Sequence, residues 1–287
     1  MCRSVTPSQP PLEHPPYTAR LLRPGLWHIQ DATAGHPPGQ QPDGSFHSPS
    51  SVYVVEAPGR VLVFDLGPPY PGRALRALVD RIAGGRAVQV AITHNHFDHI
   101  GALSQFEDCP HYLPRHDPIR TAATGVLLSG GETIPLPPYR FQVLAVPGHT
   151  RGSLAFYEPE QGWLFTGDAF GSSYVWLLFL PGAVEVYRDT LRRTLAFLGA
   201  REDLLILPGH RYQQQILPVP GIDPRSPRNP RLGLPYLRDM LTLSEQILAG
   251  TAAARPFQAC GREDLAAYTY GRAEIDALLP GRPPVEL

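Results

Sequence analysis

Lysine is absent from this chain of 287 residues, in which all 25 basic residues are arginine. The absence excludes Schiff-base lysines, P-loop lysines and metal bridges built on a carbamylated lysine. It therefore also excludes those TIM-barrel amidohydrolases that need a bridging carbamate. A GC-rich coding sequence explains the bias, and the 34 Pro and 27 Gly agree with it.

Cysteine and long apolar runs are also scarce. Cys2, Cys109 and Cys260 are scattered and odd in number, which argues against a disulfide framework and against a Cys-rich zinc knuckle. The longest apolar run, from Tyr174 to Leu180, is far shorter than the roughly 18 residues of a membrane span. The Pro-rich N-terminus lacks the apolar run of a signal peptide. These absences predict a cytoplasmic protein that binds no membrane.

The net charge of −1 provides no overall field that would attract nucleic acid. We therefore expect a small-molecule substrate and no nucleic-acid partner, and a homodimer stays open. With 43% hydrophobic residues, the chain can bury a sizeable core.

Three regions are predicted along the chain. Residues 1–50 form a Pro/Gly-rich N-terminal arm and first strand, in which residues 1 to about 20 and 33–50 are a loose arm and a long loop. Residues 51–212 form a catalytic core. Residues 213–287 form a C-terminal extension that packs on the core, with a Pro-rich loop and one helix, Tyr236–Leu248.

Within residues 51–212, short strand-like runs alternate with segments of helical spacing, which predicts an α/β fold. The predicted helices cover residues 73–83 and 184–198. The predicted strands cover residues 51–56, 60–65, 88–93, 141–146, 153–157, 163–166 and 204–207.

Four potential metal ligands are clustered at Thr93-His94-Asn95-His96-Phe97-Asp98-His99, directly after a predicted strand. In extended backbone, His94 and His96 point to one side, so one cation can bind both. Asp98 and His99 enter a turn or a first helical turn and can face a second cation. Imidazole and carboxylate together suit zinc, with iron or manganese as alternatives.

Three further strands each deliver a potential ligand directly after a glycine, namely Gly148-His149, Gly167-Asp168 and Gly209-His210. Ligands often follow the carboxyl ends of strands in α/β folds. The pattern predicts that these three side chains converge on the histidine cluster.

Together these motifs resemble the metallo-β-lactamase-fold superfamily of metal-dependent hydrolases, over roughly residues 50–212. The resemblance implies an αββα sandwich of two mixed sheets flanked by helices, with two zinc ions per chain. It places His94, His96 and His149 on the first metal and Asp98, His99 and His210 on the second. It makes Asp168 the bridging carboxylate and Asp65 the residue that orients the metal-binding loop.

A metal pair of this kind predicts a hydrolase in which a bridging hydroxide attacks a small ester, thioester, lactone or amide. Asp98 stands where a carboxylate could also take up and return a proton. With a carboxylate, Asp168, at the bridging position, the chain is similar to the glyoxalase II-like and lactonase-like branch of the superfamily. The aromatic segment 174–179 is interpreted either as a core or dimer-interface strand or as a pocket wall. In the second interpretation Tyr174 or Trp176 contacts an acyl group, and the hydroxyl of Tyr174 stabilises an oxyanion during catalysis.

Other functions stay open at this point. A mononuclear iron oxygenase similar to the persulfide dioxygenases would use the same ligands, and phosphodiesterases and β-lactamases share the fold. A non-catalytic binding protein is a further alternative. The sequence names neither the physiological substrate nor the metal.

Overall fold

The computed structural model describes residues 10–31, 39–40, 46–47, 50–70, 72, 74–171, 174–210 and 232–285. Its helices are α1 (Ala74–Ala83), α2 (Phe97–Ile100), α3 (Ala183–Leu198) and α4 (Leu234–Leu248). No helix in these ranges is long and apolar enough to cross a membrane.

The largest sheet has eight strands and mixes antiparallel with parallel pairs. In spatial order they are β1 (Leu12–His14), β2 (Tyr17–Arg23), β3 (Leu26–Asp31), β6 (Ser51–Glu56), β7 (Arg60–Phe64), β8 (Ala87–Ala91), β9 (His111–Pro114) and β10 (Gly125–Leu128). Two short strands, β4 (Gly39–Gln40) and β5 (Phe46–His47), form a separate two-stranded sheet.

A second mixed sheet has five strands. In spatial order they are β11 (Thr133–Leu136), β12 (Tyr139–Ala145), β13 (Leu154–Glu158), β14 (Trp163–Gly167) and β16 (Leu205–Pro208). The third sheet has four strands, in the order β15 (Tyr174–Leu177), β19 (Ala273–Leu278), β18 (Arg262–Tyr270) and β17 (Arg255–Ala259).

The first two sheets pack face to face, because alternate residues of each strand are apolar and point inward. Phe64 of β7 stacks on Phe165 of β14 with ring centroids 3.9 Å apart and planes at 12°. Helix α1 covers the outer face of the first sheet through Leu75, Leu78 and Ile82. Helices α3 and α4 cover the second sheet. The predicted αββα sandwich is confirmed.

The prediction of a loose arm up to about residue 20 was wrong from Leu12 onward. Strands β1 and β2 extend the first sheet through β3, and Tyr17 and Ala19 are buried in its core. The pattern Tyr-Thr-Ala-Arg did not stand out as a strand, because only one face of an antiparallel sheet needs to be apolar. Division of the chain at residues 50 and 212 stays a prediction.

The C-terminal region contains helix α4 near the predicted bounds, but it also contains three strands that were not predicted. Residues 211–231, where the predicted Pro-rich loop falls, lie outside the described residues. Strand β15, which follows Asp168, pairs in parallel with β19 near the end of the chain. The C-terminal strands β17, β18 and β19 therefore form one sheet with β15, which lies before residue 212.

This third sheet buries a carboxyl group, Asp276, which is 3% exposed. Burial and repulsion from Glu274 raise the pKa of Asp276 to about 7. Because this is above the value of an unfolded Asp, the stability contributed by the group is present below about pH 4 and lost as the pH rises through 7.

We expect Asp276→Asn to gain stability relative to the wild type by roughly 3 kcal/mol between pH 5 and 8.5. Urea unfolding at both pH values measures this gain. The control is Asp264→Asn, which removes a partly exposed carboxylate paired with Arg262 in the same sheet. If the difference in free energy of unfolding between Asp276→Asn and the wild type were the same at both pH values, the prediction would be contradicted.

Candidate metal centre

Parallel strand pairs bring the candidate ligands to one edge of the sandwich. In the first sheet β7 and β8 are parallel, so Asp65 and Thr93 follow neighbouring carboxyl ends. In the second sheet β14 and β16 are parallel, and Asp168 and His210 follow their carboxyl ends. His149 lies in the turn between the antiparallel strands β12 and β13. Segments distant in sequence therefore meet at this edge.

The structure brings all seven candidate ligands together in two groups. In each group the ligand atoms lie within 4.8 Å of one another. The first group consists of His94, His96, His149 and Asp168, and the second of Asp98, His99 and His210. This is the division that the resemblance implied.

Asp168 lies between the two groups. Its Oδ2 is 3.6 Å from Nε2 of His149 in the first group and 3.2 Å from Nε2 of His210 in the second. Its Oδ1 is 3.3 Å from Nε2 of His99. One carboxylate thus approaches imidazoles of both groups, which is the geometry expected of a bridging ligand.

Asp65 orients His94 and His99 through hydrogen bonds to the Nδ1 side of each ring, directly for His99 and through Thr93 for His94. Its Oδ2 accepts a hydrogen bond from Nδ1 of His99 at 2.9 Å and from the Thr93 hydroxyl at 2.8 Å. Its Oδ1 accepts one from the Thr93 backbone N–H at 2.8 Å. The Thr93 oxygen in turn accepts from Nδ1 of His94 at 3.0 Å. Nε2 of both imidazoles is thereby left for a cation.

The backbone at Asp65 is unusual, with φ 57° in the left-handed region. Few residues other than glycine adopt this conformation, although Asp tolerates it better than most. It turns the buried carboxylate back toward the loop after β8. Residues held in such conformations are concentrated at functional sites.

His149 is fixed by a different partner. Its Nδ1 donates a 2.8 Å hydrogen bond to the backbone carbonyl of Trp176, so its Nε2 faces the cluster. That Nε2 lies 3.0 Å from Nδ1 of His96. The segment after Asp168 therefore positions a candidate ligand through its backbone.

The histidines of the first group are held neutral. Burial, together with neighbouring imidazoles, lowers the pKa of His94 far below its ordinary value and that of His96 to about 3. Burial also lowers the pKa of His149. Neutral imidazole is the form that binds a cation.

The second group contains paired opposite charges. Burial opposes protonation of His99, but the carboxylates of Asp168, Asp98 and Asp65 raise its pKa to about 10. The pKa of His210 is likewise raised, against burial, by Asp168 and Asp98. Burial acts to raise the pKa values of Asp98 and Asp168, but the nearby imidazoles hold both below the usual range. Because the Asp98 and Asp168 carboxylates stay anionic, they favour binding of a cation at this site.

Buried polar atoms without partners test whether a metal fits. In the part of the chain that the structure describes, Nε2 of His94 and of His96 are buried without a hydrogen-bond partner, and Nε2 of His99 and Oδ1 of Asp168, although 3.3 Å apart, do not meet in hydrogen-bond geometry. Such atoms are costly unless something binds them. The donor set of imidazole nitrogen and carboxylate oxygen is one that zinc accepts. The residues therefore fit a metal centre.

Comparison with known proteins agrees with this geometry. The model of the metallo-beta-lactamase superfamily matches residues 46–210, which is more than half of the chain. This chain belongs to the metallo-beta-lactamase superfamily. The match ends at His210 and leaves α4 and the strands β17, β18 and β19 outside it.

Curated relatives within the superfamily are named hydroxyacylglutathione hydrolase. One from Thermosynechococcus vestitus is 40% identical over 172 residues, which cover 58% of this chain and 65% of the relative. One from Legionella pneumophila strain Paris is 30% identical over 132 residues, covering 45% of this chain and 50% of the relative. The chain spans about half the length of the curated relatives it matches.

Solved structures of the superfamily share the fold. A metallo-beta-lactamase from Pontibacter korlensis has a TM-score of 0.57 at 15% identity, covering 80% of this chain and 99% of that one. A metallo-beta-lactamase from Erythrobacter litoralis has a TM-score of 0.56 at 17% identity, covering 83% of this chain and 100% of that one. At these identities the likeness concerns the fold alone.

The structure also shows contacts that the sequence did not single out. The Phe179 ring lies edge-on to His96 and His149, with centroids 4.8 and 5.3 Å away. In the aromatic segment, the described contacts with the histidines come from the Trp176 carbonyl and the Phe179 ring. Tyr174 lies at the start of β15, and its predicted catalytic part stays a prediction. Thr93 and Trp176 act through hydrogen bonds that have no signature in the sequence.

Gly209 leaves room for the cluster. A Cβ at this position would lie 2.3 Å from Asp168 Oδ1 and 2.6 Å from His99 Cε1. We expect Gly209→Ala to displace both side chains and to weaken metal binding about 10-fold or more, the scale seen when partners of metal ligands are lost. Metal titration measures this loss. Gly59→Ala, with no neighbouring atom within 4 Å of the added Cβ, is the control, and a Gly209→Ala affinity equal to that of the wild type would contradict the expectation.

Proposed function

We propose that this protein is a metal-dependent hydrolase that holds two zinc ions per chain and cleaves a thioester or a related small acyl ester. The convergence of seven ligand-type side chains in two groups joined by Asp168 carries the proposal. The names of the curated relatives favour a thioester among the candidate substrates. We also propose a small molecule as the only partner that the reaction needs.

In this proposal, His94, His96 and His149 would hold the first cation, and Asp98, His99 and His210 would hold the second, with Asp168 as a ligand available to either. Bound there, two divalent cations would supply an activated water and would polarise the substrate carbonyl. The side chains keep their geometry through Asp65, Thr93 and the Trp176 carbonyl.

Asp98 is suited to proton transfer as well as to metal binding. Its side chain is 24% exposed, whereas that of His99 is 0% exposed, and its Oδ2 lies 3.3 Å from Nε2 of His210. A carboxylate that meets solvent at the edge of the cluster can take a proton from the attacking water and return it to the leaving group.

The test is a substrate panel assayed with zinc-, manganese- and iron-reconstituted protein. It contains a hydroxyacyl thioester of glutathione, an aryl ester, a lactone, a β-lactam and a phosphodiester. We expect the zinc protein to turn over the thioester fastest and to lose its activity when a chelator removes the metal. His96→Ala should be inactive, whereas the matched control His116→Ala, at an exposed position, should keep its activity.

Three outcomes would contradict the proposal. Turnover that survives complete metal removal would exclude the metal mechanism. One iron per chain with oxygen-dependent turnover would instead indicate the oxygenase alternative. A phosphodiesterase or a β-lactamase would be recognised by the substrate that the zinc protein prefers.

A further inference from the structure

A buried acidic residue near the C-terminus is joined to the metal centre by hydrogen bonds. Asp276 is 3% exposed, and its Oδ2 accepts a 3.1 Å hydrogen bond from the indole N–H of Trp176. Within the described residues, its Oδ1 is buried without a partner. A buried polar group is costly unless it is hydrogen-bonded, so the bond to the Trp176 indole is the feature of this side chain to account for.

Strand register explains why these two side chains meet. In the parallel pair of β15 and β19, Trp176 stands opposite Asp276, and side chains at paired positions lie on the same face of a sheet. The opposite face carries Val175, Leu177 and Ile275, which pack in the apolar core with α3 and α4. Trp176 and Asp276 therefore belong to the face that is turned away from that core.

The same tryptophan reaches the first metal group through its backbone. Its carbonyl accepts the hydrogen bond from Nδ1 of His149 at 2.8 Å. Trp176 lies in β15, and the C-terminal segment forms two sets of backbone hydrogen bonds with β15 and the residue that follows it. Strand β19 pairs with β15 along Tyr174–Leu177, and the Val285 backbone N–H donates to the Leu178 carbonyl at 2.9 Å.

We propose that Trp176 and Asp276 are a positioning pair for His149. Asp276 fixes the indole, the indole fixes the β15 backbone, and the Trp176 carbonyl holds the imidazole with Nε2 directed at the first metal group. This inference rests on the proposed metal centre. It assigns a part in the site to a segment outside the region 46–210 that the superfamily model matches.

The first experiment is cobalt(II) titration of the metal-free full chain, followed by visible absorption in competition with a chelator. We expect Asp276→Ala and Trp176→Phe each to lower the affinity for one of the two bound cobalt ions about 10-fold. This is the lower end of the roughly 10- to 100-fold loss in metal affinity that follows removal of a partner of a ligating histidine. Asp276→Asn should bind like the wild type, because its amide oxygen still accepts from the indole. Asp264→Ala removes another carboxylate of the same sheet and should change nothing.

The second experiment needs no metal. Spectra of ¹⁵N-histidine-labelled metal-free protein report which ring nitrogen of His149 carries the proton. The wild type and Asp276→Asn should show the Nδ1–H form, whereas Asp276→Ala should show a mixture. If Asp276→Ala fails to fold, Trp176→Phe, which keeps an aromatic ring, carries both tests.

The outcomes separate the two proposals. Unchanged cobalt affinity and an unchanged His149 tautomer in the variants would overturn the positioning pair, even when the wild type binds two ions. A wild type that binds no ion would overturn the proposed function, and the tautomer shift would still decide the positioning pair.

Discussion

Replacement of Asp168 by Ala is expected to lower kcat/KM by about 10³-fold or more while the chain stays folded. The carboxylate lies 3.2 Å from His210, 3.3 Å from His99 and 3.6 Å from His149. Its loss removes the group shared by both metals, and several kcal/mol of transition-state stabilisation corresponds to this factor. Steady-state kinetics with measured zinc content per chain test the prediction.

The folded state should survive this change, because Asp168 lies just after β14 and its carboxylate contacts the imidazoles of the cluster, namely His99, His149 and His210. Thermal unfolding of the metal-free variant checks this point. Asp168→Asn keeps the shape of the side chain and removes its charge. An undiminished rate in Asp168→Asn would be inconsistent with a bridging carboxylate.

Replacement of Asp65 by Ala is expected to weaken metal binding by about 10- to 100-fold, although Asp65 binds no metal itself. One carboxylate holds Nδ1 of His99 directly and Nδ1 of His94 through Thr93. Both metal groups therefore lose a fixed ligand when Asp65 is removed. Competition titration with a chelator measures the two affinities.

Asp65→Asn is the informative companion. Its amide oxygen can still accept from the Thr93 N–H, but its NH₂ group cannot accept from His99. We expect the metal affinity of Asp65→Asn to lie between the affinities of the wild type and of Asp65→Ala. Wild-type affinity in both variants would show that the histidines keep their orientation without Asp65.

The sandwich and the convergence of the ligand-type residues could be predicted because their signals are local. The mostly apolar run Val88–Thr93, most of which lies in β8, leads directly into a cluster of ligand-type residues, and Gly148-His149 and Gly209-His210 mark other strand exits. Parallel pairing then dictates that the carboxyl ends meet at one edge. The helices were likewise found near their observed bounds, since α1 and α3 each have one apolar face.

The strands at the two ends of the chain could not be predicted in the same way. Strand β18, Arg262–Tyr270, begins with three charged residues, and its buried part is recognisable only from its partners β17 and β19. The hydrogen bonds from Trp176 to Asp276 and to His149 depend on this pairing. Contacts between residues 100 positions apart leave no periodic trace in a single sequence.

The most direct test of the metal centre is anomalous diffraction at the zinc edge from crystals grown with zinc. We predict two peaks per chain at about 3.5–4 Å from each other. One should lie among His94, His96 and His149, and the other among Asp98, His99 and His210, with Asp168 between them. A single peak, or two peaks that Asp168 does not join, would contradict the two-metal hydrolase proposed for this chain.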